Sequence, residues 1–236
     1  GEGSVDLRDV ERVVIDEADR MADMGFLPTV TRILDQCSKD RQTMMFSATF
    51  PSDIARLSEQ MLHEPERIEV GRVAEPVDAV RQCVYTVSQA GKLALLLKIL
   101  REEEIDSALI FLRTKVRTDR VSQGLRKAGF KAQAIHGDRS QRQRQQALDG
   151  FRSGRYKVLI ATDVAARGLD IEGISHVINY DIPQNPDDYL HRIGRTARAS
   201  AEGDAFTFVC PDDYLALEAI EKALGKNLPR AEWDGA

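Results

Sequence analysis

From Cys83 onward the sequence alternates between two kinds of stretch, and this alternation restricts the fold more than any other feature. Cys83–Val87, Ala108–Leu112, Ala132–Ile135, Val158–Ala161, Val177–Asn179 and Ala205–Val209 are short apolar runs of strand length. Leu93–Leu100, Thr114–Lys127 (closed by Gly129), Gln141–Phe151 and Tyr214–Leu224 read as the helices between and after them. Strands separated by helices of about a dozen residues predict βαβ units and an α/β fold on a mostly parallel sheet.

The first third follows the same logic less completely. Val13-Val14-Ile15 and Met44-Met45-Phe46 are all-apolar runs, which predict strands buried on both faces. Leu27–Leu34 and Ile54–Leu62 read as helices, and Arg67–Val70 as a last strand. Gly71–Val77, with Gly71 and Pro76, is the most linker-like segment. A length of 236 residues suits one large or two small domains.

The polar clusters fall just after the predicted strands, the edge at which open α/β sheets bind ligands. Asp16-Glu17-Ala18-Asp19 follows Ile15, and three carboxylates this close call for a cation. Mg²⁺, which takes carboxylate oxygens, waters and substrate phosphates, suits them; an acid-rich helix N-terminus is the plainer alternative. Ser47-Ala48-Thr49 follows the second run, where two hydroxyls at a strand end are more commonly loop hydrogen-bonders than functional groups. His136-Gly137-Asp138 follows Ile135, and Thr162-Asp163 follows Ala161 and leads to Arg167-Gly168-Leu169-Asp170. In His191–Arg198, Arg192, Arg195 and Arg198 stand three apart. In a helix they would share a face, and three guanidinium forks suit several phosphate oxygens; a solvated basic face is the alternative.

Charge narrows the partner. The chain carries a net charge of −5, which argues against a wholly basic nucleic-acid binder. Yet Arg113–Lys157 holds thirteen Lys or Arg against Asp119, Asp138 and Asp149, a local +10 that fits a polyanion. Cys37, Cys83 and Cys210 are scattered, with no Cys-x-x-Cys, so neither a disulfide framework nor a zinc site is indicated and a reducing, cytoplasmic compartment is expected. No apolar run is long enough to span a membrane.

On these residues the chain resembles the DEAD-box RNA helicases of helicase superfamily 2, over roughly Val5–Leu228. Asp16–Asp19 is similar to the name-giving motif II, Ser47–Thr49 to motif III and Leu109–Thr114 to motif IV. Gln141–Arg144 resembles the Q-x-x-R element, Thr162–Asp170 motif V and His191–Arg198 motif VI. The wording Phe46–Phe50 and Ala134–Gly137 is most similar to the bacterial RhlE-like branch.

The resemblance implies RecA-like lobes, ATP with Mg²⁺ as cofactors, and RNA as partner. It implies that Asp16 holds Mg²⁺ through water, that Glu17 aims or deprotonates the attacking water, and that Asp19 couples to Ser47, Thr49 and His191. Arg195 and Arg198 would be arginine fingers, Arg192 a coupling residue, and Asp170 with Gly168 would meet the nucleotide. Arg113, Thr114, Gln141, Arg144, Thr162 and Gly168 would grip the RNA backbone. Expected segments are 1–70 (back half of lobe 1), 71–77 (linker), 78–225 (lobe 2) and 226–236 (tail).

Two departures stand out. Ala197 occupies a position where the family usually has Gly, and no G-x-x-x-x-G-K-[ST] sequence occurs in the chain. The phosphate-cradling loop would then lie upstream of Gly1, and the chain would be an N-terminally truncated helicase, inactive alone. A non-catalytic RNA- or partner-binding module is the alternative. A DNA translocase of the same superfamily fits less well, because those relatives more often carry His where Asp19 stands.

Overall fold

The computed structural model describes residues 5–47, 50, 52–69, 80–103, 105–166, 171, 173–196 and 203–233. The chain divides into two compact units, Gly1–Gly71 and Arg72–Ala236. The expected linker, 71–77, lies outside the described residues.

In the first unit, β1 (Arg12–Ile15) pairs in parallel with β2 (Gln42–Met45), Ile15 opposite Met45. α1 (Ala18–Asp23), α2 (Leu27–Leu34) and α3 (Ser52–Met61) supply the remaining elements. Side chains alternate across a strand, so Ile15 enters the core with Ala18, Leu34, Ile54, Leu57 and Met61, and Val13 packs beside them. Val14 points the other way and is 56% exposed. The expected burial on both faces is therefore not met, because among the described residues the helices cover one face only. Phe46 likewise falls beyond β2 and is 55% exposed. Arg67–Glu69 forms no strand, and Ile68 is 81% exposed. A strand needs a hydrogen-bonded neighbour, and the sheet here pairs only β1 with β2 among the described residues.

The second unit carries the predicted alternation: β3 (Val80–Thr86), α4 (Lys92–Glu102), β4 (Ala108–Phe111), α5 (Lys115–Lys127), β5 (Ala132–Ile135), α6 (Gln141–Arg152) and β6 (Val158–Ala161). It continues through α7 (Asp163–Ala166), β7 (His176–Asn179), α8 (Pro186–Ile193), β8 (Gly203–Val209), α9 (Tyr214–Leu224) and β9 (Arg230–Ala231). The sheet order is β5-β6-β4-β7-β8-β3-β9, and every pairing is parallel. β4, β6 and β7 are buried at every position. Alternation splits them between two cores. Ile110, Ile160 and Ile178 pack with Leu95, Leu96, Val121 and Leu125, while Leu109, Leu159 and Val177 pack with Ala147, Phe151 and Ala165. Helices on both faces are what an all-parallel sheet requires.

Local chemistry fixes the helix starts. Thr114 accepts from the Arg117 amide at 3.3 Å and caps α5. Ser140 and Gln143 form a reciprocal capping box on α6, with Ser140 N–H donating to Gln143 Oε1 at 2.9 Å. The stretch from Lys226, expected as a tail, returns to the sheet. Leu228 is buried, β9 pairs with β3, and Arg230 bridges Glu221 at 2.8 Å. It covers a sheet edge that would otherwise offer unpaired backbone groups.

The connections leave one switch point. From β4 the chain moves outward to β5 and β6, whereas from β7 it moves the opposite way to β8. β4 and β7 are neighbours, so the crevice past their carboxyl ends is where this architecture places a ligand site.

Two outcomes follow from this packing. A two-stranded sheet is marginal in water, so limited proteolysis and hydrogen exchange should attack residues 5–69 well before 80–233; equal protection of both units would contradict that ranking. His176 is 5% exposed, with Nδ1 2.9 Å from Ser175 Oγ, and burial pushes its imidazole below the ordinary 6.5 against the opposing pull of Asp204. Because the folded value lies below the unfolded one, His176 keeps stability intact above about pH 6.5 and withdraws it as pH falls towards the lower folded value. Thermal midpoints measured from about pH 7 down to about pH 5 should drop more steeply for the wild type than for His176→Gln; parallel curves would remove His176 from the acid response.

Candidate functional site

In the first unit, the ends of β1 and β2 are laced together by backbone. Phe46 N–H donates to Ile15 O at 2.7 Å, and Ala18 N–H to Phe46 O at 3.0 Å. Asp19 N–H donates to Ser47 Oγ at 3.1 Å, so the Asp16–Asp19 and Ser47 segments meet as one strand-end platform. Glu17 turns the chain from strand to helix with φ 51° and ψ 48°. That left-handed conformation strains a non-glycine residue, and such strain concentrates where surroundings enforce it. Asp16 is exposed, and its Oδ1 accepts from Glu17 N–H at 2.9 Å. Asp19 is buried and its Oδ1 accepts from Arg20 N–H at 3.0 Å. Ala48 and Thr49 lie outside the described residues.

In the second unit the switch point is filled by a charged knot. Arg192 is 3% exposed and forks onto Asp163, Nε to Oδ1 at 2.6 Å and Nη2 to Oδ2 at 2.7 Å. Its Nη1 donates to Asn179 Oδ1 at 3.0 Å and Asp181 O at 2.8 Å, and the guanidinium lies 4.8 Å over the Phe111 ring. Asp181 Oδ2 accepts from Arg113 N–H at 3.0 Å, and Oδ1 pairs with Arg117 at 3.0 Å. One carboxylate thus ties the end of β4 to the end of β7 and to α5.

The helix face expected to be shared by Arg192 and Arg195 is not formed. α8 ends at Ile193 with Gly194 as its cap, so Arg195 lies beyond the helix, half-buried. Arg192 is spent inside the fold, because a buried guanidinium must satisfy all its donors internally. His191 is exposed on the last turn of α8. Arg198, Gly168 and Asp170 lie outside the described residues. Arg113, Thr114 and Gln141 are exposed at the strand-end edge, and Thr162 is half-buried at the end of β6. Arg144 donates to Ala165 O at 3.2 Å and so joins α6 to α7.

Comparison with known proteins decides what this arrangement belongs to. Residues 91–200 match the model of the helicase conserved C-terminal domain, and residues 2–57 that of the DEAD/DEAH box helicases. The CshA DEAD-box ATP-dependent RNA helicase of Geobacillus kaustophilus is 42% identical over 228 residues, which cover 97% of this chain and 49% of that protein. The RhlB ATP-dependent RNA helicase of Pseudomonas syringae is 43% identical over 96% of this chain and 57% of that protein. The chain therefore spans about half the length of the curated relatives it matches. Among solved structures, the S. cerevisiae Dbp5 bound to RNA and ADP BeF3 is 34% identical with TM-score 0.84, over 97% of this chain and 61% of that one. The E. coli DEAD-box protein SrmB, solved with the regulator of ribonuclease activity A, is 37% identical with TM-score 0.63, over 66% of this chain and 92% of that one.

The chain belongs to the DEAD-box RNA helicase family.

For a DEAD-box chain, sequence reasoning overlooked the residues that hold the edge in place. Asp181 lies two residues past the end of β7, close enough that the same strand-end rule could have found it. Asn179, on β7 itself, and Lys92, at the start of α4, carried no signal of their own, because only packing shows that they face Arg192 and Asp181.

Removing one partner of a buried ion pair leaves an uncompensated charge. Arg192→Ala should therefore destabilise the second unit by about 3 kcal/mol, the low end of the usual range because Asp163 keeps 27% of its side chain exposed. Arg192→Lys should recover little of it, since an ammonium cannot fork. Urea unfolding measures both; a loss below about 1 kcal/mol would assign Arg192 to the surface class.

Proposed function

We propose that the protein these residues belong to is an ATP-dependent RNA helicase that separates short RNA duplexes or remodels RNA–protein complexes. The observation that carries this reading is the pair of strand-end platforms: Asp16–Asp19 laced to Ser47 in one unit, and the basic edge around Arg113 at the switch point of the other.

Asp16 fits a hydrated Mg²⁺. Its carboxylate is exposed at a strand end with one oxygen engaged by the Glu17 amide. No group of three or more Asp, Glu, His or Cys gathers as a cage among the described residues, and Mg²⁺ is commonly held by one or two carboxylates plus phosphate oxygens. Bound there, the ion supplies neutralising charge to the phosphates. Glu17 orients the attacking water and takes its proton as the γ-phosphorus gains that oxygen and releases ADP. Arg195 and Arg198 meet the charge that develops, and Asp170 with Gly168 meets the nucleotide. Asp19, Ser47, Thr49, His191 and Arg192 couple nucleotide state to RNA.

Arg113, Thr114, Gln141, Arg144, Thr162 and Gly168 hold the RNA backbone. Contacts of that kind position a strand without reading its sequence. The RhlE-like branch rests on the wording of Phe46–Phe50 and Ala134–Gly137. Three free cysteines accord with the expected cytoplasmic compartment; among the described residues no helix is long and apolar enough to cross a membrane.

The sequence contains no G-x-x-x-x-G-K-[ST] loop, so the 236-residue chain alone should hydrolyse no ATP with or without RNA, while a longer protein that includes such a loop should. In that longer protein Arg198→Ala should cut single-turnover hydrolysis roughly 10³-fold or more, with far less effect on nucleotide binding. Arg198→Lys should not restore the rate. Equal rates would strike Arg198 from the catalytic residues, and a longer protein that binds RNA yet never hydrolyses ATP would favour the non-catalytic binding module.

A further inference from the structure

Lys92 is among the most buried side chains of the second unit, at 1% exposure. Its Nζ donates to Tyr180 O at 2.9 Å and lies 3.5 Å from Asp181 Oδ1 and 3.7 Å from Asp213 Oδ2. Asp213 reaches outward as well, with Oδ1 3.5 Å from Arg113 Nη2. Asp181 Oδ1 is shared with Arg117. Three cations thus face two carboxylates at the switch point, and one positive charge is left over.

The surplus cannot rest on Lys92, which is enclosed and committed to a carbonyl and two carboxylates. It falls to the outer members. Arg117 keeps 29% of its side chain exposed and holds Asp181 tightly, whereas Arg113 keeps 49% and makes only long contacts, 3.5 Å to Asp213 and 3.4 Å to Ile182 O. Arg113 is therefore the loosest cation, sitting on the edge already proposed to take RNA phosphates.

We infer that Lys92 and Asp213 are positioning residues that set how much of the Arg113 charge is offered to an RNA phosphate. Asp213 competes with the phosphate for Arg113, and Lys92 weakens that competition by sharing Asp213 from the buried side. The inference rests on the RNA-binding reading above. It differs from a purely structural role in sign. Removing the Lys92 charge brings the cluster to balance and ties Arg113 to Asp213; removing the Asp213 charge frees Arg113; removing both restores the surplus of one.

The test is fluorescence anisotropy of a short labelled oligouridine titrated with the full chain at several salt concentrations. Lys92→Met keeps the apolar stem without the charge. Asp213→Asn keeps an oxygen for the Cys210 amide, which donates to Asp213 Oδ2 at 3.1 Å. Trp233, the only tryptophan, packs beside α4, where a Cβ on Gly91 would lie 2.7 Å from its ring. Its emission therefore reports whether each variant is folded around Lys92.

Lys92→Met should weaken binding about fivefold at low salt, the upper worth of one exposed ion pair. Its log–log salt slope should be shallower by about 0.7, one phosphate contact on a single strand. Asp213→Asn should tighten binding and steepen the slope by a similar amount, and the double variant should return to the wild-type slope. Wild-type binding with slopes unmoved by the folded variants, or with Asp213→Asn weakening it, overturns the inference alone. Failure of the wild type to bind overturns the RNA-binding reading and the inference with it. If Trp233 emission shows Lys92→Met unfolded, Asp213→Asn decides: tightening supports the inference and no change refutes it.

Discussion

Every polar atom of Asp181 is engaged, and the strand-end edge of the second unit is assembled around that fact. Its N–H donates to Phe111 O and its carbonyl accepts from Arg192; one carboxylate oxygen accepts from the Arg113 amide and the other faces Arg117 and Lys92. A carboxylate taken out of water costs several kcal/mol unless it is paired and hydrogen-bonded. The residue, which follows β7, therefore demands partners from the end of β4, α4, α5 and α8 at once, and their convergence is the switch point. Arg192 does the same from the other side, reaching Asp163 after β6 and Asn179 on β7. Two buried opposite charges hold three strand ends in one register with one another.

This explains a division of labour among the basic residues. A guanidinium inside the fold and one at its rim have the same chemistry, and exposure separates their tasks. Arg192 is closed off and orders the edge; Arg113 is half-exposed with long contacts and is available to an outside anion. Contacts from such a rim to a polyanion's backbone would give affinity without sequence preference, as the proposed RNA-binding role requires.

The first unit uses backbone rather than charge to the same end. Hydrogen bonds between Ile15, Ala18 and Phe46, and from Asp19 to Ser47, fix the acidic loop against its neighbour, and Glu17 sits in a strained left-handed turn. Three acids are thereby separated in environment: Asp16 faces water, Glu17 is half-buried at the turn and Asp19 is enclosed. Residues adjacent in sequence are given distinct chemical surroundings by one change of backbone direction.

Periodicity by itself determined the βαβ alternation, the parallel sheet of the second unit and the strand-end location of the polar clusters, because strands covered on both faces of a parallel sheet are predominantly apolar. Tertiary structure alone decided which face of a strand met a core, so Val14 is open although it looks as apolar as Ile15. It also decided where α8 stops, and hence that Arg192 turns inward while Arg195 lies past the helix. Spacing specifies a helical face only if the helix continues, and Gly194 ended it. Lys92 and Asp181 acquired their meaning the same way: the 88 positions between them vanish only when α4 packs against the end of β7 and a buried ammonium finds a buried carboxylate.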